Sequence, residues 1–236
     1  MSREKKKQPH NISFLRASNE ITKDTNFVIV GVPFDHQSTQ ERGNTCDAPN
    51  KIRQLSDEIS LVSDRGLYLD DRIKIADVGD IIEKDCKLTN LRKSISEIVN
   101  KLHLINPKIV PIFLGGNHYI SYPSFSALYK KYSDEDLYFL SLDAHIDFYE
   151  SWESEYHSHC TVLKRIHDDF ANPTSTNIFV FGARDIDIAE LENAKEKKLK
   201  YISLNDYDST NLLRKNKNNV LSFSDYCLDY IIKQLG

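Results

Sequence analysis

Apolar residues along this chain follow two alternating patterns, and the alternation sets the architecture. Short β-branched runs are separated by longer stretches in which apolar residues recur every three or four positions. The runs predict strands at Phe27–Val32, Ile73–Val78, Ile109–Leu114, Leu137–Leu142, Ile178–Phe181, Lys200–Leu204 and Val220–Phe223, each apolar enough to be covered on both faces. Leu88, Leu91, Ile95, Ile98, Val99 and Leu102 fall on one stripe of a helix over about Thr89–Leu104. Further helices are predicted over Ala48–Ile59, Pro123–Tyr132, Thr161–Asp169 and Ile188–Lys198. Strands alternating with helices predict an α/β fold, a three-layer α/β/α sandwich around a mostly parallel central sheet. Ligands of such sheets sit beyond the carboxyl ends of the strands, so the residues just after each strand carry the functional reading.

Composition narrows the class. The 236 residues, 40% hydrophobic and 28% charged, suffice for one large buried core and exclude a disordered chain. Residues 1–10 read as a disordered basic tail and 11–236 as a single domain. No apolar run approaches the roughly 20 residues a membrane span needs, and Met1–His10 has no apolar segment behind its basic residues. The expectation is a soluble, cytoplasmic protein without a membrane partner. Thirty-one Lys+Arg against 35 Asp+Glu is too balanced for a protein devoted to nucleic acid. Cys46, Cys86, Cys160 and Cys227 lie far apart with no CxxC pair and read as reduced thiols.

The chemistry collects after the third and fourth predicted strands. Gly115-Gly116-Asn117-His118 follows one, Asp143-Ala144-His145-Ile146-Asp147 follows the other, and Ser158-His159-Cys160-Thr161 comes shortly after. Carboxylates and imidazoles in this mixture suit Mn²⁺, Fe²⁺ or Zn²⁺. The plainer alternative is that Asp143 and Asp147 cap the next turn while His118 and His145 are polar loop residues. The strand-end pairing of DxHxD with GGxH favours the metal.

These motifs resemble those of the arginase and agmatinase (ureohydrolase) superfamily, in its agmatinase-like branch. The family's GGDH, DAHxD and SHG are matched by GGNH at 115–118, DAHID at 143–147 and SHC at 158–160. Gly31-Val32-Pro33-Phe34-Asp35 is similar to the family's GxPxD, Ala48-Pro49 with Ile52-Arg53 to its GPxxIR, and Phe181-Gly182-Ala183-Arg184-Asp185 to its GxR segment. The resemblance implies an arginase-like fold and a metal-dependent hydrolase of a guanidino compound, agmatine or arginine in type, that releases urea. In that family two Mn²⁺ ions activate the attacking water. By resemblance His118, Asp143 and Asp147 ligate one ion, His145 with a shared oxygen of Asp143 ligates the other, and His159 handles protons, so that Asp143 and His159 are the catalytic pair. It also implies a homo-oligomer, trimeric or hexameric.

Two departures temper the expectation. The family's late strand carries aspartates in an SxDxDxxDP pattern, whereas Ser222-Phe223-Ser224-Asp225-Tyr226-Cys227-Leu228-Asp229-Tyr230 aligns there with Ser224 and Tyr226 in their places. A slip of one residue offers Asp225 and Cys227 instead, on the opposite strand face. The chain also ends at Gly236, short of the family's last strand and helix and of a substrate-gripping glutamate, and a helix is predicted at Tyr226–Leu235. One Mn²⁺ is therefore expected rather than two, and the alternative function is an impaired family member serving as a binding, regulatory or oligomer-completing subunit. The aromatic and acidic segment Tyr149–Tyr156 reads equally as a pocket mouth or a solvated loop, and Cys160 as an inert thiol rather than a nucleophile beside His159.

Overall fold

The computed structural model describes residues 12–35, 45–69, 72–82, 87–132, 137–170, 177–208 and 222–235. The basic tail, most of the Gln37–Pro49 loop, Cys86 and the first two residues of the predicted seventh strand lie outside them. The chain forms two compact units, residues 1–127 and 128–236, each built on a parallel three-stranded sheet.

In the first unit the strands are β1 (Phe27–Val32), β2 (Ile75–Asp80) and β3 (Val110–Gly115), in the order β2-β1-β3. Each connection passes through a helix, α1 (Ala48–Ser56) before β2 and α2 (Leu88–Ile105) before β3. That is the crossover parallel strands require. The α2 stripe behaves as its spacing predicts: Leu91, Ile95, Val99 and Leu102 are fully buried, each contributing about 1.5–3 kcal/mol of burial free energy. Strand β2 begins two residues later than its apolar run suggests, because the Ile73 amide closes a turn on the Leu69 carbonyl. Its aspartates Asp77 and Asp80 receive Arg53 of α1, which ties that helix to the strand.

The second unit holds β4 (Phe139–Leu142), β5 (Ile178–Ala183) and β6 (Lys200–Ser203) in the order β4-β5-β6. Helices α4 (Val162–Phe170) and α5 (Ile188–Lys197) make the crossovers, while α3 (Ser121–Lys131) leads from one unit into the other. All six residues of β5 are buried, as expected of a central strand.

One expectation fails. The described end of the predicted strand Val220–Phe223 is helical, with Phe223 opening α6 (Phe223–Leu235). Ser222 caps it: its hydroxyl accepts from the Asp225 amide at 3.1 Å and donates to the Asp225 carboxylate at 2.7 Å. Phe223, Tyr226, Cys227 and Tyr230, at helical spacing, then pack on Phe179 and Phe181 of β5 and Ile202 of β6. A short apolar run does not distinguish strand from buried helix, and here the serine cap and the continuing three- and four-residue spacing decide it. The two strand registers for Ser224/Tyr226 and Asp225/Cys227 therefore both fall away.

Candidate metal centre

The GGNH turn leaves β3 tightly packed against the chain following β1. The Asn117 amide donates to the Phe34 carbonyl at 2.9 Å, and a Cβ on Gly116 would come within 2.1 Å of that oxygen. Only glycine fits there. Asn117 is buried, and its side chain accepts from the Tyr119 amide at 2.9 Å, starting the short turn whose first residue is the half-buried His118. Asparagine in this place is thus a cap on its own turn.

Past β4, the Asp143 amide still donates to the Phe181 carbonyl of β5 at 3.0 Å, extending the ladder by one residue. Opposite it, Gly182 adopts φ +96°, where a side chain would be strained and would press on the Asp143 carbonyl. The next carbonyl, of Ala144, accepts both the Arg184 and Asp185 amides. This pairing fixes the start of DAHID. One Asp143 oxygen accepts from the His145 amide at 3.0 Å and lies 3.4 Å from His145 Nδ1. The turn-forming role is therefore present, and it is compatible with a ligand role for the carboxylate's other lone pairs. Asp147 is buried, in the left-handed conformation at φ 41°. Its carboxylate and that of Asp143 offer oxygens within 4.8 Å of each other.

His145 is exposed, and its Nε2 lies 3.5 Å from Asp185. His159 opens a short turn whose Ser158 and Thr161 form a reciprocal cap, and Ser158 Oγ lies 3.3 Å from His159 Nδ1. Beside it, burial and the charges of Asp147, Glu190 and Glu153 push the Cys160 thiol up to about 12. A thiolate is thus disfavoured at neutral pH, in keeping with an inert thiol. Of the sequence-selected residues, Asp143, His145, Asp147 and His159 lie in the second unit and His118 in the first.

The segment Tyr149–Tyr156 is a small hairpin. Trp152 and Glu155 pair through two backbone hydrogen bonds around Glu153 and Ser154, both at positive φ. Its base is held by α4: Lys164 meets Glu150 at 2.9 Å, and the Arg165 guanidinium stacks 3.5 Å above the Tyr156 ring. Glu150, although exposed, is consequently paired within the protein; Glu153 and Glu155 are exposed as well. The sequence pattern did not single out Lys164, Arg165 or Glu190, and it offered Asp185 only as the end of the GxR-like segment. The D-x-x-E spacing of Asp187 and Glu190, a helix-capping signature, was the available signal for Glu190.

The donor set suits a divalent ion of the Mn²⁺ type: two convergent carboxylates, with an imidazole beside one of them. Comparison with known proteins supplies the context. The family model described as "Arginase family" matches residues 25–225. An agmatinase of Bacillus cereus is 35% identical over 180 residues, covering 74% of this chain and 57% of that protein. An agmatinase of Pyrococcus horikoshii is 28% identical over 187 residues, covering 79% and 61%. The agmatine ureohydrolase of Thermoplasma volcanium superposes with a TM-score of 0.70 at 25% identity, over 85% of this chain and 64% of that one. This chain thus spans about three fifths of the length of the two curated relatives. The structural likeness carries the three-layer α/β/α fold class.

Proposed function

We propose that this chain, which belongs to the arginase family, is a metal-dependent ureohydrolase of a small guanidino compound of the agmatine type. The observation that carries the reading is the DAHID turn, where Asp143 and Asp147 bring carboxylate oxygens within 4.8 Å at a strand end. In this reading His118, Asp143 and Asp147 hold one Mn²⁺, with His145 beside Asp143. A bound divalent ion would lower the pKa of water and so supply a nucleophile at neutral pH. His159 moves the proton, its ring oriented by Ser158 Oγ against Nδ1, which leaves Nε2 as the working atom. Urea is the expected product, and a cytoplasmic homo-oligomer, trimeric or hexameric, the expected assembly.

A second reading, a family member that binds one ion without turnover, is favoured by one observation. The positions aligned with the family's late aspartates lie in α6, where Tyr226 packs on the β5–β6 core. Metal analysis of the purified protein, with urea release assayed against agmatine, arginine and guanidinobutyrate, separates the two. About one Mn²⁺ per chain with urea release, both lost in Asp143→Ala, is the outcome expected of the enzyme. One ion without urea release favours the second reading, and no ion at all overturns both.

A further inference from the structure

Asp147 is buried at φ 41°, in the left-handed region that few non-glycine residues occupy. Such a conformation persists where its surroundings over-determine it. Its own carbonyl accepts from the Leu163 and Lys164 amides at the start of α4, at 3.2 and 3.4 Å. The residues that follow are gripped from α5. Glu190 Oε1 accepts from the Phe148 amide at 3.0 Å, and Asn193 Nδ2 donates to the Phe148 carbonyl at 3.3 Å. Tyr149 is hydrogen-bonded to Asp187 on the same helix end. Phe148 itself is fully buried.

We propose that Glu190 is a positioning residue for Asp147: through the Phe148 amide it holds the backbone that aims the Asp147 carboxylate at the metal. The inference rests on the metal reading above. Helix capping alone does not account for Glu190. Its 3.3 Å contact with the Asp187 amide closes the cap, but the shorter bond goes to a residue 42 positions away. A capping carboxylate works at the surface, whereas Glu190 is only 4% exposed. Burying a carboxylate is expensive, and its net return here is a fixed 147–149 segment.

Mn²⁺ affinity, measured by titration of the metal-free protein with Mn²⁺ alone, tests this. Glu190→Ala should weaken binding by about tenfold or more, the scale seen when a supporting partner of a ligand is removed. Glu190→Gln keeps an oxygen for the Phe148 amide and should stay within about threefold of the parent. Asn193→Ala, which removes the weaker support, should fall between the two and serves if Glu190→Ala fails to fold. Ala194→Gly, buried in the same helix, lowers stability while keeping the Glu190 and Asn193 hydrogen bonds to Phe148, and should leave affinity unchanged. Unchanged affinity in folded Glu190→Ala, or an equal loss in Ala194→Gly, overturns the proposal. Asp147→Ala separates it from the reading beneath. If Asp147→Ala abolishes binding while Glu190→Ala does not, the positioning role alone fails; if Asp147→Ala also leaves binding intact, the metal reading fails.

Discussion

Arg53 in the first unit and Arg165 in the second are both almost fully buried, yet they are used differently. Arg53 has an acceptor for each of its three nitrogens: Nε and Nη2 grip the two oxygens of Asp77 at 2.8 and 3.0 Å, and Nη1 reaches Asp80 at 2.6 Å. Asp77 also accepts the Phe14 and Gly79 amides. Arg165 instead spends its Nη2 on the carbonyl and carboxylate of Glu150, at 3.2 and 3.3 Å, and its face on Tyr156. Among the described residues its Nε and Nη1 have no hydrogen-bond partner. The closed set braces α1, β2 and the segment before β1, which are scaffold. The open set holds a hairpin beside the candidate metal centre, where a perfect fit is not needed for the fold.

The largest effect should come from breaking the closed set. Arg53→Met retains the apolar stem and leaves Asp77 buried with its charge unopposed, so unfolding in urea should show a loss of about 3–5 kcal/mol. Combining it with Asp77→Asn should recover part of that loss, because the stranded charge is gone. A loss under about 1 kcal/mol in the single variant would mean that the set is no brace, and the contrast with Arg165 would collapse.

Arg165→Met should cost less, about 1–2 kcal/mol, since it removes one stacked cation and two long hydrogen bonds while also deleting two unpartnered donors. Its clearer sign should be faster proteolysis at the Glu153-Ser154 tip, because the base of the hairpin is released. Equal losses in Arg53→Met and Arg165→Met would make both of them scaffold.

How much of this was legible in the sequence follows the same divide. An unbroken β-branched run placed β1, and helical periodicity placed the α2 stripe, almost to the residue, because burial of both strand faces and of one helix face is written in local sequence. The strand-end motifs drew attention to Asp143 and Asp147, since their chemistry is written in residue type and spacing. Partnerships across long separations were not legible: nothing local to Glu190 points to Phe148, and nothing local to Arg165 points to Tyr156. The seventh strand failed for a related reason. A brief apolar run read without its cap hid a helix that covers Phe179 and Phe181, and with it went the strand on which the late ligand positions had been placed.

The smallest expected effect concerns the carboxylates of the open set. Hydrogen bonding from Lys164 holds Glu150 below the ordinary carboxylate range. For Asp168, burial acts in the opposite direction and is outweighed by hydrogen bonds from Lys164 and His167 and by the Lys164 and Arg165 charges, so its pKa is also lowered. A carboxylate whose folded pKa lies below its unfolded one adds stability above the unfolded value, and that stability disappears as pH falls through the folded value. The urea midpoint of the parent should therefore fall between about pH 5 and 3, and the fall should be shallower in Lys164→Met. Glu150 is largely exposed, so part of this dependence should be screened by about 0.5 M salt. Identical slopes in parent and Lys164→Met would show that these pairs add nothing to folding. The hairpin would then rest on the stacking of Arg165 on Tyr156, and the proteolysis of Arg165→Met would become the decisive measurement.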